Sequence, residues 1–389
     1  MNYSISLAQA SSIMHSVLQS FRHELHRHPE LSGQEAATAQ RIKAFAKQHQ
    51  PTAIIDRIGG HGLAVTYAFA PDGPCIVIRC EMDALPIEES NQFDHRSSTK
   101  GVSHKCGHDG HMAIVAGLMN WTEQQSFTKG KLVLLFQPAE ETGQGAPAVR
   151  NAPAFAALQP DFVFALHNLP GEPLHHIILV EKRFSATVQS LAIRFQGKKS
   201  HASEPEKGNN PALAMASITQ RFASLINDKV SDERFALLTP VYSRLGAPAY
   251  GINAGDGELH YTIRTWSEEY MHELKENLLL VVAEVCKAHA LHFQIDWFDF
   301  FPSAVNDDQC NQLIRQAAMA HNLVLKEQPV PFKFGEDFGW YSSAYKSAMF
   351  GIGAGADSPA LHHADYDFPD ELIETGIKMF GGIIRQLLQ

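Results

Sequence analysis

Cysteine is scarce in this chain: Cys75, Cys80, Cys106, Cys286 and Cys310 are the only five in 389 residues, odd in number and widely scattered. Such a set argues against a disulfide framework and fits free thiols in a reducing cytosol, so a cytoplasmic location is expected. Positive charge is also short. Lys and Arg total 32 against 42 Asp and Glu, the formal net charge is −10, and no basic run occurs. Nucleic acid and anionic membrane surfaces are therefore poor partners. No apolar run reaches the roughly 18 residues that a membrane span needs. The Met1–Ser20 stretch lacks the charged-then-apolar order of a signal peptide, so none is read there. Histidine, in contrast, is plentiful at 21 copies, in an ordinary globular background of 44% hydrophobic and 19% charged residues. The chain exceeds the roughly 250–300 residues at which single cores stop growing, so two domains are expected.

The densest chemistry lies in Lys105-Cys106-Gly107-His108-Asp109-Gly110-His111. A thiolate and a neutral imidazole both suit zinc, and imidazole also suits copper, iron or nickel. Cys106 and His108 are two apart, so on an extended segment both side chains leave from one face. From Asp109 onward Met112, Val115, Ala116 and Met119 follow helical spacing, which puts Asp109 at or near the N-cap. At this point two readings stand, a metal-binding turn before a buried helix, or a cap with a core cysteine and incidental histidines.

Further motifs fall at strand ends. Residues 1–50 read as helix, and the histidines of Phe21-Arg22-His23-Glu24-Leu25-His26-Arg27-His28-Pro29 do not form a zinc-protease helix. That motif needs histidines at i and i+4, whereas His23 and His26 are three apart. They are read as surface or structural. Strands Leu63–Ala70 and Cys75–Arg79 flank a Pro-Asp-Gly turn, and the second runs into Glu81-Met82-Asp83. The apolar run Leu132–Phe136 reads as a parallel strand that delivers Glu140 and Glu141 to the same edge, where open α/β sheets bind ligands. Their adjacency lets one carboxylate bind metal while the other, pointing elsewhere, handles protons. Strand Phe162–Leu166 ends in His167. From Ala186 to Phe298 the order is strand, helix, strand, strand, helix, strand, a split ferredoxin-like motif that reads as an insertion. Helix 307–320, short strand 323–325, strand 347–352 and helix 371–388 return the chain to an α/β pattern. The Gly351-Ile352-Gly353-Ala354-Gly355 loop is followed by Asp-Ser-Pro rather than a helix, so it is not a dinucleotide fingerprint.

Taken together, Arg79-Cys80-Glu81-Met82-Asp83-Ala84-Leu85-Pro86, Cys106-Gly107-His108-Asp109, Gln137-Pro138-Ala139-Glu140-Glu141, Leu166-His167-Asn168, Ser200-His201-Ala202 and Leu361-His362 resemble the metal-dependent amidohydrolases of the aminoacylase/carboxypeptidase family. The resemblance is narrowest to the branch of hippurate hydrolases, N-acyl-amino-acid amidohydrolases and indole-acetyl-amino-acid hydrolases, and it spans nearly the whole chain. It implies a mixed-sheet α/β/α metallohydrolase domain (1–184 and 299–389) with an inserted ferredoxin-like lid and dimerisation domain (185–298). It implies one or two divalent ions per subunit, Mn²⁺ or Zn²⁺ ahead of Ni²⁺ or Co²⁺, held by Cys106 as the bridge with His108, Glu141, His167 and His362. It implies Glu140 as general base and then acid, Asp83 as the carboxylate that orients a ligand, and His201 as the oxyanion donor, in this family often across a dimer. The expected activity is hydrolysis of an amide in an N-acyl-amino acid or peptide-like small molecule, with Arg264 and Asn253 as substrate contacts and a homodimer as the assembly.

Three departures from the family pattern stand out. Cys80-Glu81 replaces a small residue and Asp. Gly251 falls on the family's Asn position, two before Asn253. His362 and His363 are adjacent, with the flanking Leu361 and Tyr366-Asp367-Phe368 favouring His362. Two other readings are weighed against the metallohydrolase. A non-catalytic relative holding a structural metal would have no use for Glu140. A cysteine-nucleophile hydrolase using Cys106 with His108 or His111 would survive chelation.

Overall fold

A computed structural model describes residues 7–389; the first part of the Met1–Ser20 stretch, where no signal peptide is read, lies outside the described residues. In chain order the elements are α1 (Leu7–Arg27), α2 (Ala36–Ala46), β1 (Ala53–Ile58), β2 (Gly62–Ala68), β3 (Cys75–Glu81), α3 (His108–Glu123), β4 (Lys131–Gln137), α4 (Gly145–Arg150), α5 (Pro153–Ala156), β5 (Phe162–Leu169) and β6 (Ile177–Val180). There follow β7 (Thr187–Gln196), β8 (Ser200–His201), α6 (Ala212–Ala223), β9 (Ala236–Leu245), β10 (Ile252–Asn253), β11 (Asp256–Thr265), α7 (Glu268–Ala288) and β12 (His292–Phe301). The chain closes with α8 (Asp308–Ala320), β13 (Leu325–Gln328), α9 (Gly339–Ser342), β14 (Lys346–Gly353) and α10 (Leu372–Leu388). Two compact units result: the first runs to Phe184 and resumes over Ala304–Pro329 and Asp337–Gln389, and the second holds Ser185–Ser303 with Val330–Glu336.

The first unit is built on a mixed eight-stranded sheet, ordered β1-β2-β4-β3-β5-β14-β6-β13. Its centre, β4-β3-β5-β14, is parallel throughout. β3 and β5 are buried at every residue, which is why their sequences read as unbroken apolar runs. Parallel strands end together: Glu81 pairs with Gln137, and Gly351 with His167. Residues from α1, α2, α3, α8 and α10 join the sheet in one apolar core. Strands β1 and β6 were not expected. β1 is a partly exposed edge strand without clean alternation, and β6 has only four residues, too few for a pattern.

The second unit is a four-stranded antiparallel sheet ordered β12-β7-β11-β9, so its strands run 4-1-3-2 by their own sequence, the ferredoxin-like order. β11 alternates strictly, burying Leu259, Tyr261 and Ile263 under Met215, Ile218 and Phe222 of α6 and Leu274, Leu278 and Val282 of α7. Ser267 caps α7 by accepting from the Tyr270 amide. A two-stranded ribbon, β8 with β10, completes it. Among the described residues no helix is long and apolar enough to cross a membrane.

Candidate metal centre

In the first unit the strand ends bring Cys106, His108, Glu140, Glu141, His167 and His362 together. The ligand atoms of Cys106, His108 and His167 lie within 4.8 Å of one another, and so do those of Cys106, Glu141 and His362. Cys106 is common to both triads. A third group, His108, Glu140 and Glu141, meets the same spacing.

How Cys106 and His108 converge differs from the extended-segment expectation. Gly107, with φ 92°, is the N-cap of α3, and His108 is already its first helical residue. A left-handed turn, not strand alternation, sets the two side chains. A Cβ at Gly107 would also lie 2.7 Å from the Asn168 side chain, so only glycine fits here. Asp109 is therefore not the cap. It stands in the first turn, fully buried, with its carboxylate accepting from Arg22 Nη1 at 2.9 Å and paired with His26 Nδ1 at 2.8 Å.

The histidine tautomers are set by the backbone. His108 Nδ1 is 2.9 Å from the Asp83 carbonyl oxygen, and His167 Nδ1 is 2.9 Å from that of Asn168. Carbonyls only accept, so each Nδ1 carries a proton, and in the neutral ring, the form that binds a metal, each Nε2 presents a lone pair. His167 Nε2 faces Cys106 Sγ at 3.6 Å. His108 Nε2 lies 3.9 Å from both Glu140 Oε2 and Glu141 Oε1, is buried, and has no hydrogen-bond partner among the described residues. His362 Nε2 is 3.8 Å from Glu141 Oε2. The two glutamates thus turn toward one imidazole rather than diverging. Pinning the outer ring nitrogen so that the inner one points at a shared space is how proteins orient metal ligands.

Electrostatics agree. Burial opposes charge on His108, but its hydrogen bond to Asp83 and the charges of Glu81, Glu141 and Asp83 outweigh it and raise the pKa to about 10. Burial and neighbouring His111 lower His167 to about 3. Burial, followed by Glu141 and Glu140, pushes the Cys106 thiol well up, which makes it a poor nucleophile by itself. A site that adds carboxylates around an imidazole and a thiol calls for a cation, and a divalent ion would draw the thiol to thiolate. The donor set of one thiolate, three imidazoles and a carboxylate fits a divalent transition metal.

Asp83 stands just beyond β3. Its Oδ2 accepts from Ser32 Oγ at 2.7 Å and from the Glu141 amide at 3.0 Å, while Oδ1 is 3.5 Å from His108 Nδ1. Two backbone outliers lie at the site: Ala139 (φ 53°), just before the glutamate pair, and His362 (φ 66°). Non-glycine residues in this region signal stored strain at functional places.

Next to these candidate ligands lies a buried polar network that the motifs did not reveal. Glu81 pairs with Arg79 through one oxygen and with His111 Nδ1 at 2.6 Å through the other. Burial raises its pKa, yet Arg79 and His111 hold it well below the usual carboxylate range. His111 Nε2 accepts from the Asn168 backbone amide at 3.3 Å, so both of its ring nitrogens are engaged. Arg79 Nε donates to Gln137 Oε1 at 2.9 Å, and Gln137 Nε2 donates to Asp337 Oδ2 at 2.8 Å. Glu81 and Gln137 are the last residues of neighbouring parallel strands, the one sequence signal that could have joined them.

His201, Asn253 and Arg264 belong to the second unit. His201 and Asn253 lie on the β8–β10 ribbon. The Asn253 amide is engaged at both ends, with Nδ2 donating to Ser200 Oγ at 3.0 Å and Oδ1 accepting from Asn210 at 2.7 Å. Arg264 on β11 donates to the Lys333 carbonyl at 2.7 Å and has no carboxylate at ion-pair distance among the described residues. Burial alone lowers its pKa.

Comparison with known proteins gives a consistent result. The sequence model described as peptidase family M20/M25/M40 matches residues 77–386. An N-acetyl-L-cysteine deacetylase of Bacillus subtilis is 30% identical over 358 residues, 91% of this chain and 84% of that protein. An N-acetyldiaminopimelate deacetylase of the same organism is 29% identical over 365 residues, covering 94% and 97%. The crystal structure of a dinuclear metal-binding M20 peptidase from Bacillus subtilis superposes with a TM-score of 0.81 at 26% identity, covering 97% of this chain and 99% of that one.

Proposed function

From the premise that this chain belongs to peptidase family M20/M25/M40 and is a metal-dependent amidohydrolase, we propose that it removes the acyl group from an N-acyl-amino acid, releasing a carboxylic acid and the free amino acid. The observation that carries the reading is the pair of ligand triads sharing Cys106 Sγ, with Glu140 beside them. Cys106, His108, Glu141, His167 and His362 would hold one or two ions, Mn²⁺ or Zn²⁺. Bound there, a divalent pair supplies Lewis-acid polarisation of the amide carbonyl and a more acidic water.

The chain's own residues do the rest. Glu140, 5% exposed and close to His108, takes the proton of the attacking water and returns it to the leaving nitrogen. Asp83 holds the His108 ring through its carbonyl and carboxylate, keeping Nε2 aimed. His201 donates to the oxyanion of the tetrahedral intermediate. Arg264, desolvated and without a carboxylate at ion-pair distance among the described residues, is suited to the free carboxylate of the substrate amino acid. The engaged amide of Asn253 favours a role in holding the ribbon as much as touching substrate. Val241, Tyr242 and Leu245 are exposed along β9, an edge strand, which supports pairing of this unit with a second copy. The scarce, scattered thiols support a cytoplasmic setting.

The test is Glu140→Gln in the metal-loaded protein, assayed on N-acetyl-amino acids, hippurate and dipeptides. kcat should fall by about 10²–10⁴ with metal content unchanged. Chelation should abolish wild-type hydrolysis and Mn²⁺ or Zn²⁺ should restore it. Full activity in the Gln variant, or after complete chelation, overturns the mechanism.

A further inference from the structure

The ribbon that carries His201 is fastened more firmly than its imidazole. Ser200 and His201 pair with Asn253 and Ile252, the Ala202 amide donates to the Gly251 carbonyl at 3.0 Å, and the Glu204 amide returns to the His201 carbonyl at 2.9 Å. The ring itself is exposed, so packing does not fix its rotation. Among the described residues its hydrogen bonds run to one residue. His201 Nδ1 is 2.6 Å from Ser203 Oγ and accepts from the Ser203 backbone amide at 3.2 Å.

A backbone N–H can only donate, so Nδ1 must be the acceptor. The hydroxyl, free to rotate, then donates a hydrogen bond to the same Nδ1 lone pair, which the two donors share. If Nδ1 bore hydrogen, two N–H groups would face each other. In the neutral ring the proton is thereby placed on Nε2, and two donors on one atom also restrict rotation about the side-chain bonds. Nε2–H is the group an oxyanion needs.

We propose that Ser203 is a positioning residue for the hydrolysis, fixing His201 in the Nε2–H tautomer and aiming that donor before substrate arrives. This rests on the reading of His201 as the oxyanion donor. In this role Ser203 acts on His201 and not on substrate or metal directly. Its effect passes through His201 and belongs to the transition state, so kcat should carry it and KM should not.

The experiment uses the metal-loaded full chain with ¹⁵N-labelled histidine, in long-range ¹H–¹⁵N correlation at about pH 8, above the ordinary histidine range, beside steady-state kinetics on an N-acetyl-amino acid. Wild-type His201 should show one tautomer with Nε2 protonated. Ser203→Ala should broaden or mix that signature and lower kcat about three- to tenfold, the scale of one hydrogen bond, with KM little changed. Ser203→Thr, which keeps the hydroxyl, should restore both. On a His201→Ala background, Ser203→Ala should cost nothing more. If His201→Ala inactivates while Ser203→Ala leaves kcat and the nitrogen signals unchanged, the Ser203 proposal falls alone. A Ser203→Ala effect confined to KM would make it a substrate contact and overturn the proposal likewise. If His201→Ala leaves kcat unchanged, the oxyanion reading falls.

Discussion

The two units treat charge in opposite ways. In the second, apolar faces of β7, β11, α6 and α7 make the core, and ion pairs such as Arg194–Asp296 stay at the surface, with side chains 48% and 38% exposed. In the first, Arg22 and Asp109 are both at 0%, as are Arg79, Glu81 and Asp337. Burying ions costs more than their attraction returns unless every partner is in place, so a fold that needed only stability would not choose them. What the first unit gains is placement. Lys105 and Asp109 bracket Cys106 and His108. Lys105 is tied to Glu89, Asn91 and the Tyr366 carbonyl, and Asp109 to Arg22 and His26. The turn that carries Cys106 and His108 is clamped on both sides by buried charges.

The sharpest way to break this contrast is to remove one cation from each unit. Arg22→Met strips Asp109, Asp367 and Asp370 of a shared partner. It should lower the unfolding free energy of the first unit by about 3–5 kcal/mol and weaken metal retention with it. Arg194→Met in the second unit should cost about 0–1 kcal/mol. Denaturant titrations with metal content measured alongside read both; equal losses would dissolve the distinction.

A smaller effect comes from His26. Burial opposes its charge, yet Asp109 and Glu89 raise its pKa from 6.5 to about 9. The folded value is the higher one, so the stability it adds is complete below about pH 6.5 and drains away as pH climbs through about 9. The melting temperature of the first unit should therefore decline between neutral pH and pH 9–10, and His26→Gln should flatten that decline from a lower starting point. An unchanged slope in the variant would place the proton elsewhere.

His26 also marks the limit of what the sequence discloses. Cys106, His108, Glu140, Glu141 and His167 could be found because each sits at a strand end or in a short motif, and parallel strands end side by side. The β-α-β-β-α-β order was equally open, since period-2 and helical patterns alternate cleanly there. The clamp was hidden: Arg22 meets Asp109 across 87 positions and Asp367 across 345, and no local pattern couples them. His26 looked like one of several histidines on a helix, with nothing nearby in sequence to say it was buried. Asp109 lies near the N-cap, in the first turn of α3, but does not cap it, for a related reason. N-cap preference is a local argument, and here Gly107 takes the cap while distant cations claim the carboxylate.

The mildest test compares two alanines held in the same backbone region, Ala139 (φ 53°) in the first unit and Ala290 (φ 51°) in the second. Ala290 closes α7: the Leu291 amide returns to the Cys286 carbonyl at 2.9 Å, the pattern in which glycine usually occupies this place. Ala139 holds the turn before Glu140 and Glu141, its amide donating to Glu35 Oε1 at 2.8 Å. Glycine relieves the Cβ clash of a left-handed residue but loosens the unfolded chain, so each Ala→Gly change should stabilise by about 0.5–1 kcal/mol. Activity should separate them. Ala290→Gly should leave kcat alone, because the helix end is held by its own backbone bonds. Ala139→Gly should lower kcat a few-fold, because strain that fixes the direction of two carboxylates is then released. If both variants are stabilised and both keep full kcat, the outlier at Ala139 is only a tight turn, and the aim of Glu140 is set by its contacts alone.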